Sequence, residues 1–451
     1  MKIPAAVALS LLLAASAFSA NLIQGPHSND NDDSCDIGLA PAATLLLPYF
    51  EVALDSITGD NTIFTITNTG HRAQVARVTL WTDFAYPVLT FDIYLTGYDV
   101  QSINLYDVLK RGIIGGDRGT GVEVSPAGER SKNNPLVDRS NCGELPSRID
   151  AVLLARLDSA FRDGVVSGCE KIGNTHEDAV GYATIDVVGN CTPGRGPTDP
   201  LYFSKDIRYE NVLTGDYAHV NASQSFAQAS PMVHIRALPG GGTPSTRLPG
   251  PVPRLEKTFY GRFQEPGDPY LDARQPLPST FAVRWMNGGT GYFNTWLQIW
   301  RDGNTGPAAS CADYEQNAEM LVAESVAFDE DENGLGSCPP MEIIVTPIGR
   351  EPIVLPATSM LAAGDEDVFP QDTFDESTAG WLYFNLDDRD HDDGRGAQQS
   401  WVVVHMRAQG IYSVAFDAAW LGNGCSPAAA VTDFTDEDSN VMPGPAEDIN
   451  P

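Results

Sequence analysis

One pattern occurs twice in this chain, and it constrains the fold more than anything else in the sequence. The first copy reads Phe64-Thr-Ile66-Thr-Asn68-Thr-Gly70, then Val78-Thr-Leu80-Trp81-Thr-Asp83. The second reads Phe281-Ala-Val283-Arg-Trp-Met-Asn287-Gly-Gly289, then Trp296-Leu297-Gln-Ile299-Trp300-Arg-Asp302. Asn to Trp is 13 residues in both. Later landmarks recur in the same order. Cys142 and Cys169 are 27 residues apart, as are Cys311 and Cys338. Gly181-Tyr182 and Gly380-Trp381 open apolar runs, and Val233-His234-Ile-Arg236-Ala237 matches Val404-His405-Met-Arg407-Ala408. Several landmarks in one order indicate a duplicated module.

The local patterns are those of short strands. Segments 44–52, 62–67, 74–82, 88–95 and 100–105 alternate or run apolar between turn signals such as Gly59-Asp60-Asn61 and Asn68-Thr-Gly70. Further strands are expected over 182–188, 217–220 and 232–237, then 258–263, 280–285, 293–300, 341–347, 381–386, 401–408 and 412–418. Between 153 and 161, Leu153, Leu154, Leu157, Ala160 and Phe161 share one helical face, with Gly164 placed as a C-terminal cap. A matching helix is expected in the second copy from Tyr314, Ala318, Leu321, Val322 and Ser325. The predicted fold class is mainly β: two duplicated antiparallel β-sandwich (Ig-like) domains, each with a disulfide-bracketed helix. The expected boundaries are a first domain over 38–237, a Gly/Pro linker over 238–254, a second domain over 255–425 and an acidic tail over 426–451.

Residues 1–20 read as a secretory signal, with Lys2, a short apolar run from Val7 to Ala15 and small residues at the cleavage region. A flexible acidic segment, 21–37, follows. Export makes the seven cysteines a disulfide framework. Equal spacing predicts Cys142–Cys169 and Cys311–Cys338. Cys35, Cys191 and Cys425 remain, with Cys35–Cys425 a candidate pair and one thiol left over. The formal charge of −32, from 60 acidic and 28 basic residues, disfavours nucleic acid and anionic membranes as partners. No integral membrane segment is expected after signal cleavage.

The sharpest chemical motif is Asp329-Glu-Asp331-Glu-Asn333-Gly334. Asp329, Asp331 and Asn333 present alternate oxygens before a glycine, as in the first half of a calcium loop. The twelfth position is Pro340 rather than Glu, and the competing reading is a solvated acidic turn. Calcium is the one cofactor the sequence points to. Asp302-Gly-Asn304 and Asp387 to Gly394 are weaker versions. His234 and His405 share a strand face with Arg236 and Arg407, which reads as a polar outer face or an inter-sheet hydrogen bond. Trp81 and Trp300 read as core anchors, and Asp83 and Asp302 as strand terminators. No G-x-S-x-G elbow, H-x-x-x-H or C-x-x-C is present.

The Thr-Ile-Thr-Asn-Thr-Gly70 turn followed by an alternating strand resembles immunoglobulin-like modules of bacterial secreted and surface proteins. The resemblance covers about forty residues per copy. It implies a spacer or adhesive role. The leading expectation is therefore an exported, non-enzymatic bacterial surface, matrix or ligand-binding protein with a glycan or protein ligand. The alternatives are a secreted hydrolase or carbohydrate-active protein using a cleft between the domains, and a subunit of a surface assembly.

Overall fold

The computed structural model describes residues 38–114, 131–140, 142, 148–192, 194–199, 201–237, 258–264, 272, 274–288, 292–306, 309–322, 324–331, 334–335, 354–363, 379–387, 398–408 and 413–421. The expected signal, the linker 238–254, the strand at 341–347 and Cys35, Cys338 and Cys425 lie outside them. The chain is mainly β, in several antiparallel sheets.

The first half supplies β1 (Thr44–Val52), β2 (Asp60–Asn68), β3 (Gln74–Thr82), β4 (Pro87–Leu95), β5 (Val100–Asn104), β6 (Ala179–Val188), β7 (Asp216–Asn221), β8 (Phe226–Pro231) and β9 (Val233–Ile235). The second supplies β10 (Thr280–Met286), β11 (Asn294–Arg301), β12 (Glu324–Asp329), β13 (Gly334–Leu335), β14 (Thr358–Ala362), β15 (Ala379–Asn385), β16 (Ser400–Arg407), β17 (Ser413–Asp417) and β18 (Ala419–Leu421). Of the four two-residue strands described, Gly334–Leu335 is kept as β13 for its pairing with β12, while Leu213–Thr214, which pairs with β2, and Met320–Leu321 and Val354–Leu355, which pair with each other, stand outside this numbering.

In the first half the sheets run β9-β1-β6-β3-β4 and β5-β2-β7-β8. In the second they run β18-β10-β15-β12-β13 and β14-β11-β16-β17. Adding nine to every strand of the first pair gives the second pair. The same pairing order thus occurs twice, in the same chain order.

The correspondence is offset from the one expected. The Phe281–Asn287 strand, β10, takes the place of β1 rather than of β2, and Trp300 in β11 corresponds to β2 rather than to Trp81 in β3. Only the β6/β15 landmark, Gly181-Tyr182 and Gly380-Trp381, is aligned as expected. A short Asn-to-Trp motif records a strand, a turn and a strand. It carries no information on which neighbours those strands pair with.

The sheet β9-β1-β6-β3-β4 is covered on both faces. Leu45, Leu47, Ala76, Val78, Leu80, Ala183 and Ile185 face β2 and β7 in one core. The alternate residues Leu46, Val75, Trp81 and Tyr182 face Tyr260, Phe263 and Trp300 of the second half in another. Two-sided cover explains why β3 and β6 are buried at every position. Trp81 stacks on Tyr182 at 5.7 Å, and Tyr182 meets Trp300 edge-on at 5.9 Å, so one aromatic column crosses between the halves.

The helix α1 (Ala151–Asp158) begins at Asp150, whose side chain accepts from the Leu153 amide at 2.8 Å, and runs on as a wider turn over Ser159–Asp163. Leu157 and Phe161 are buried on the first core, with Leu153 and Leu154 against it. Gly164 ends it at φ 65°, and a Cβ there would lie 1.9 Å from the Gly173 carbonyl. Among the described residues, no helix is long and apolar enough to cross a membrane.

Other expectations are corrected. Residues 311–317 form a 3-10 helix started by a Ser310–Asp313 capping box, but 320–321 and 324–329 are strands. Val326 and Phe328 favour extended backbone, which stops the helix from continuing. Segment 258–263, expected as a strand, ends in a 3-10 turn at Gly261–Phe263 that buries Tyr260 and Phe263. The disulfides also differ. Cys142 pairs with Cys191 at a Cα separation of 5.1 Å, and Cys169 with Cys311 at 5.3 Å. Cys169 therefore joins the two halves instead of closing a loop on Cys142. Cys142 lies between β5 and β6 and Cys311 between β11 and β12, which are not corresponding places in the two halves.

Candidate functional site

The predicted calcium motif is the tip of a hairpin. Ala327 pairs with Leu335 and Phe328 with Gly334, so Asp329 ends β12 next to its pairing with β13. The Asp329 Oδ1 accepts from the Asp331 amide at 2.9 Å, an Asx turn. Arg284 pairs with Glu330 at 2.8 Å on the same turn. Asn333 lies outside the described residues. Of the weaker motifs, Asp302 is committed elsewhere: it pairs with Arg262 at 3.0 Å and accepts from Gln399 at 3.2 Å. Asp387 Oδ1 accepts from the Gln398 amide at 2.6 Å, and the rest of that run lies outside the described residues.

Asp83 terminates β3 and does more than turn the chain. Its buried carboxylate accepts from the Asn174 amide at 3.1 Å and lies 3.0 Å from His176 Nε2. His234 is buried, not on an outer face, with Nδ1 3.1 Å from the Ala40 carbonyl.

A buried polar constellation lies in the seam where the sheet β5-β2-β7-β8 meets β14-β11-β16-β17. Gln298 on β11 is its hub. Its Oε1 accepts from Tyr217 Oη at 2.8 Å and from His405 Nε2 at 2.8 Å. Its Nε2 donates to the Tyr49 carbonyl at 3.3 Å and faces His219 Nε2 at 3.4 Å. That arrangement fixes both tautomers. His405 carries its proton on Nε2. His219 accepts on Nε2 and so donates from Nδ1 to Thr62 Oγ1 at 3.1 Å. Thr62 in turn donates to the Glu51 carbonyl at 3.1 Å. The two imidazole centroids are 6.1 Å apart.

Both rings are buried and held neutral. Burial, with Arg407 as a second cause, pushes His219 down to about 4. Burial, then His219, then Arg407 push His405 down to about 3. In strand order His219 on β7 corresponds to His405 on β16. The sequence comparison pairs His405 with His234 instead, because the V-H-x-R-A string is the more conspicuous match. The Ala218-His219-Val220 segment alone gives no such signal.

At one end of the seam stand three half-buried carboxylates, Glu51, Asp60 and Asp178, whose oxygens lie within 4.8 Å of one another. The fold assembles them from distant sequence. Glu51 pairs with Val180, which brings the residue before β6 beside the end of β1, and Asp60 opens β2. Tyr49 Oη donates to Glu51 Oε2 at 3.1 Å. Burial raises the Glu51 carboxyl, and Asp60 beside it raises it further. Asp178 is raised by the same two causes in the same order. Arg407 partly offsets the charge on Glu51 and Arg162 that on Asp178. Three oxygens converging this closely form the kind of hard-donor set that suits a divalent cation. No sequence spacing announces it.

No family model, no curated protein and no solved structure matches this chain.

Proposed function

We propose that this chain is an exported, non-enzymatic surface, matrix or ligand-binding protein, built of two related immunoglobulin-like β-sandwich modules that act as one rigid body. The observation that carries this reading is the nine-strand pairing order that occurs twice and is bridged by Cys169–Cys311. Modules that share an aromatic core and a covalent bond do not hinge freely, which suits a spacer or a display scaffold better than a cleft that opens and closes. Two disulfides fit an oxidising compartment, and the signal-like residues 1–20 fit export. A charge of −32 keeps such a surface solvated. Calcium stabilisation at Asp329, Asp331 and Asn333 belongs to the same proposal.

The test is to express the full chain in a secreting bacterial host and recover it from outside the cytoplasm. The recovered protein is then offered to a glycan array and to extracts of the outer surface. Retention of a glycan or a surface protein, with no polymer turned over, supports the reading. Release of sugar or peptide from a polymeric substrate contradicts it in favour of a hydrolase. Retention of the whole chain in the cytoplasm contradicts export.

A further inference from the structure

We infer that this chain stacks end to end on second copies of itself, repeating between copies the contact that already joins its two halves. This goes beyond the surface-protein reading, because it names the partner and holds whether or not the chain is exported. Each half has two large sheets. Two of the four are covered on both faces. In β9-β1-β6-β3-β4, the strands β3 and β6 are buried at every position. In β14-β11-β16-β17, β11 is buried from Leu297 to Arg301 and β16 from Ser400 to His405. The other two sheets are covered on one face. β2 is buried only at alternate positions, and so is β10 from Phe281 to Met286.

The doubled order makes this unequal burial informative. The sheet β9-β1-β6-β3-β4 corresponds to β18-β10-β15-β12-β13, and β5-β2-β7-β8 corresponds to β14-β11-β16-β17. Each open sheet therefore corresponds to a covered one. Between the halves, the outer face of β9-β1-β6-β3-β4 meets the outer face of β14-β11-β16-β17. Tyr182 lies edge-on to Trp300 at 5.9 Å, and the Gln298 side chain donates to the Tyr49 carbonyl at 3.3 Å. The counterparts of those two faces are the open ones, one on each half. A second copy brings to each open face the kind of face it lacks.

The correspondence reaches the side chains. Trp81 pairs in register with Tyr182 across β3 and β6, and the rings stack at 5.7 Å. Phe328 pairs in register with Trp381 across β12 and β15, and those rings stack at 4.2 Å. Each pair sits beside a strand glycine, Gly181 or Gly380, whose Cβ would run into the carbonyl of Trp81 or Phe328. Trp81 and Tyr182 are each 1% exposed, under Phe263 and Trp300. Phe328 and Trp381 are only half-buried. The same aromatic pair is sealed on the first half, where the second half lies on it, and open on the second. The open face of the first half suits it. Ile63, Thr65 and Thr67 on β2 stand beside Val100 on β5 and Ala218 on β7, and Ala218 beside Ala229 on β8. None of these is ionisable, in a chain with 20% charged residues, so an aromatic sheet face can lie on them without stranding an ion. A contact between two different faces leaves one of each free, so growth continues past two chains. The net charge of −32 opposes the approach of copies, and salt should therefore favour it.

The test is the mass of the oxidised full-length chain by light scattering, from about 1 μM to about 0.5 mM, at low and at high sodium chloride. The expected result is a mass that rises with concentration past two chains, and more steeply at high salt. Ala229→Arg and Ala282→Arg each set a long cation on one open face. Ala229 is exposed and Ala282 half-buried on the outer side of β10, and an unchanged melting temperature shows that the variants are folded. Each variant alone should associate at least about tenfold more weakly. Mixed, they should form a pair and go no further, since Ala229→Arg keeps the aromatic face and Ala282→Arg keeps the uncharged one. The mass of one chain at every concentration and salt overturns the stacking and leaves the surface-protein reading intact. A mass that stops at two chains, or a mixture that forms no pair, overturns the end-to-end contact in favour of one between identical faces. Assembly unmoved by either variant overturns the assignment of the faces.

Discussion

Cys169, just past the helical segment of the first half, lies against Cys311 at the start of the 3-10 helix of the second, at a Cα separation of 5.3 Å. Tyr86 packs edge-on against Tyr314 at 4.9 Å beside it. Asn317 donates to the Phe84 carbonyl at 2.9 Å, and Lys171 pairs with Glu315. The bond closes a loop of 142 residues, worth roughly 5 kcal/mol in the loop-entropy account.

One prediction concerns cleavage between the halves. A protease cut placed within 238–254 should leave both fragments in one particle under non-reducing conditions, in denaturant as well as in buffer. Reductant plus denaturant should part them. Gel electrophoresis with and without reductant reads this directly. Fragments that separate in denaturant without reductant contradict the bridge.

Acid should open the seam at its histidines. His219 and His405 are neutral when folded, at about 4 and about 3, against an ordinary 6.5. The unfolded chain therefore binds more protons between pH 6.5 and those values, and stability falls as pH falls through that window. For His219 the loss is on the order of 3 kcal/mol. The double variant His219→Gln, His405→Gln should flatten the melting temperature between pH 6.5 and 4. An unchanged slope would locate the acid sensitivity elsewhere.

The acidic trio acts in the opposite sense. Glu51 and Asp178 are raised, so they destabilise the fold near neutral pH and are relieved as pH falls toward the ordinary carboxyl range. Asp178→Asn should therefore raise the melting temperature in chelator. Calcium at the hairpin turn predicts a separate effect. The unmodified protein should gain more from calcium than from magnesium at equal ionic strength, and Asp331→Ala should remove that difference. If the difference survives Asp331→Ala and disappears with Asp178→Asn, the cation sits at the trio instead.

Arg77 offers the largest single loss. It is buried and pairs with both Asp92 and Asp206. Arg77→Met removes the two-pronged partner of Asp92 and the closer of the two cations on Asp206, which keeps Arg195 at 3.5 Å, and should cost about 3–5 kcal/mol in denaturant unfolding. A cost below about 1 kcal/mol, the size of an exposed pair, would show that water reaches the site.

Strands were the legible part of this chain. Segments 44–52 and 74–82 fold with those limits, because Thr44 to Val52 and Gln74 to Thr82 are bounded by turn residues that end pairing. The helical face around Leu157 and Phe161 was legible for the same local reason. Pairing was not. The β2–β3 motif and the β10–β11 motif look alike, yet they occupy different places in the doubled order, since strand neighbours are chosen by long-range packing. The cysteines failed likewise: equal spacing says nothing of which Cβ atoms face each other across the seam. Glu51, Asp60 and Asp178 were invisible, because only the β1–β6 pairing brings them together. Leu321 and Ser325 were misread as helical because their spacing with Tyr314 and Ala318 fits a helix face, whereas 320–321 and 324–329 are strands.

We propose that two related modules form one covalently joined, exported body. Non-reducing peptide mapping of the chain recovered outside the producing cells tests it most directly. The expected result is a Cys169–Cys311 peptide and a Cys142–Cys191 peptide, with residues 1–20 removed. A Cys142–Cys169 peptide would contradict it, since each module would then be stapled on itself and free of the other.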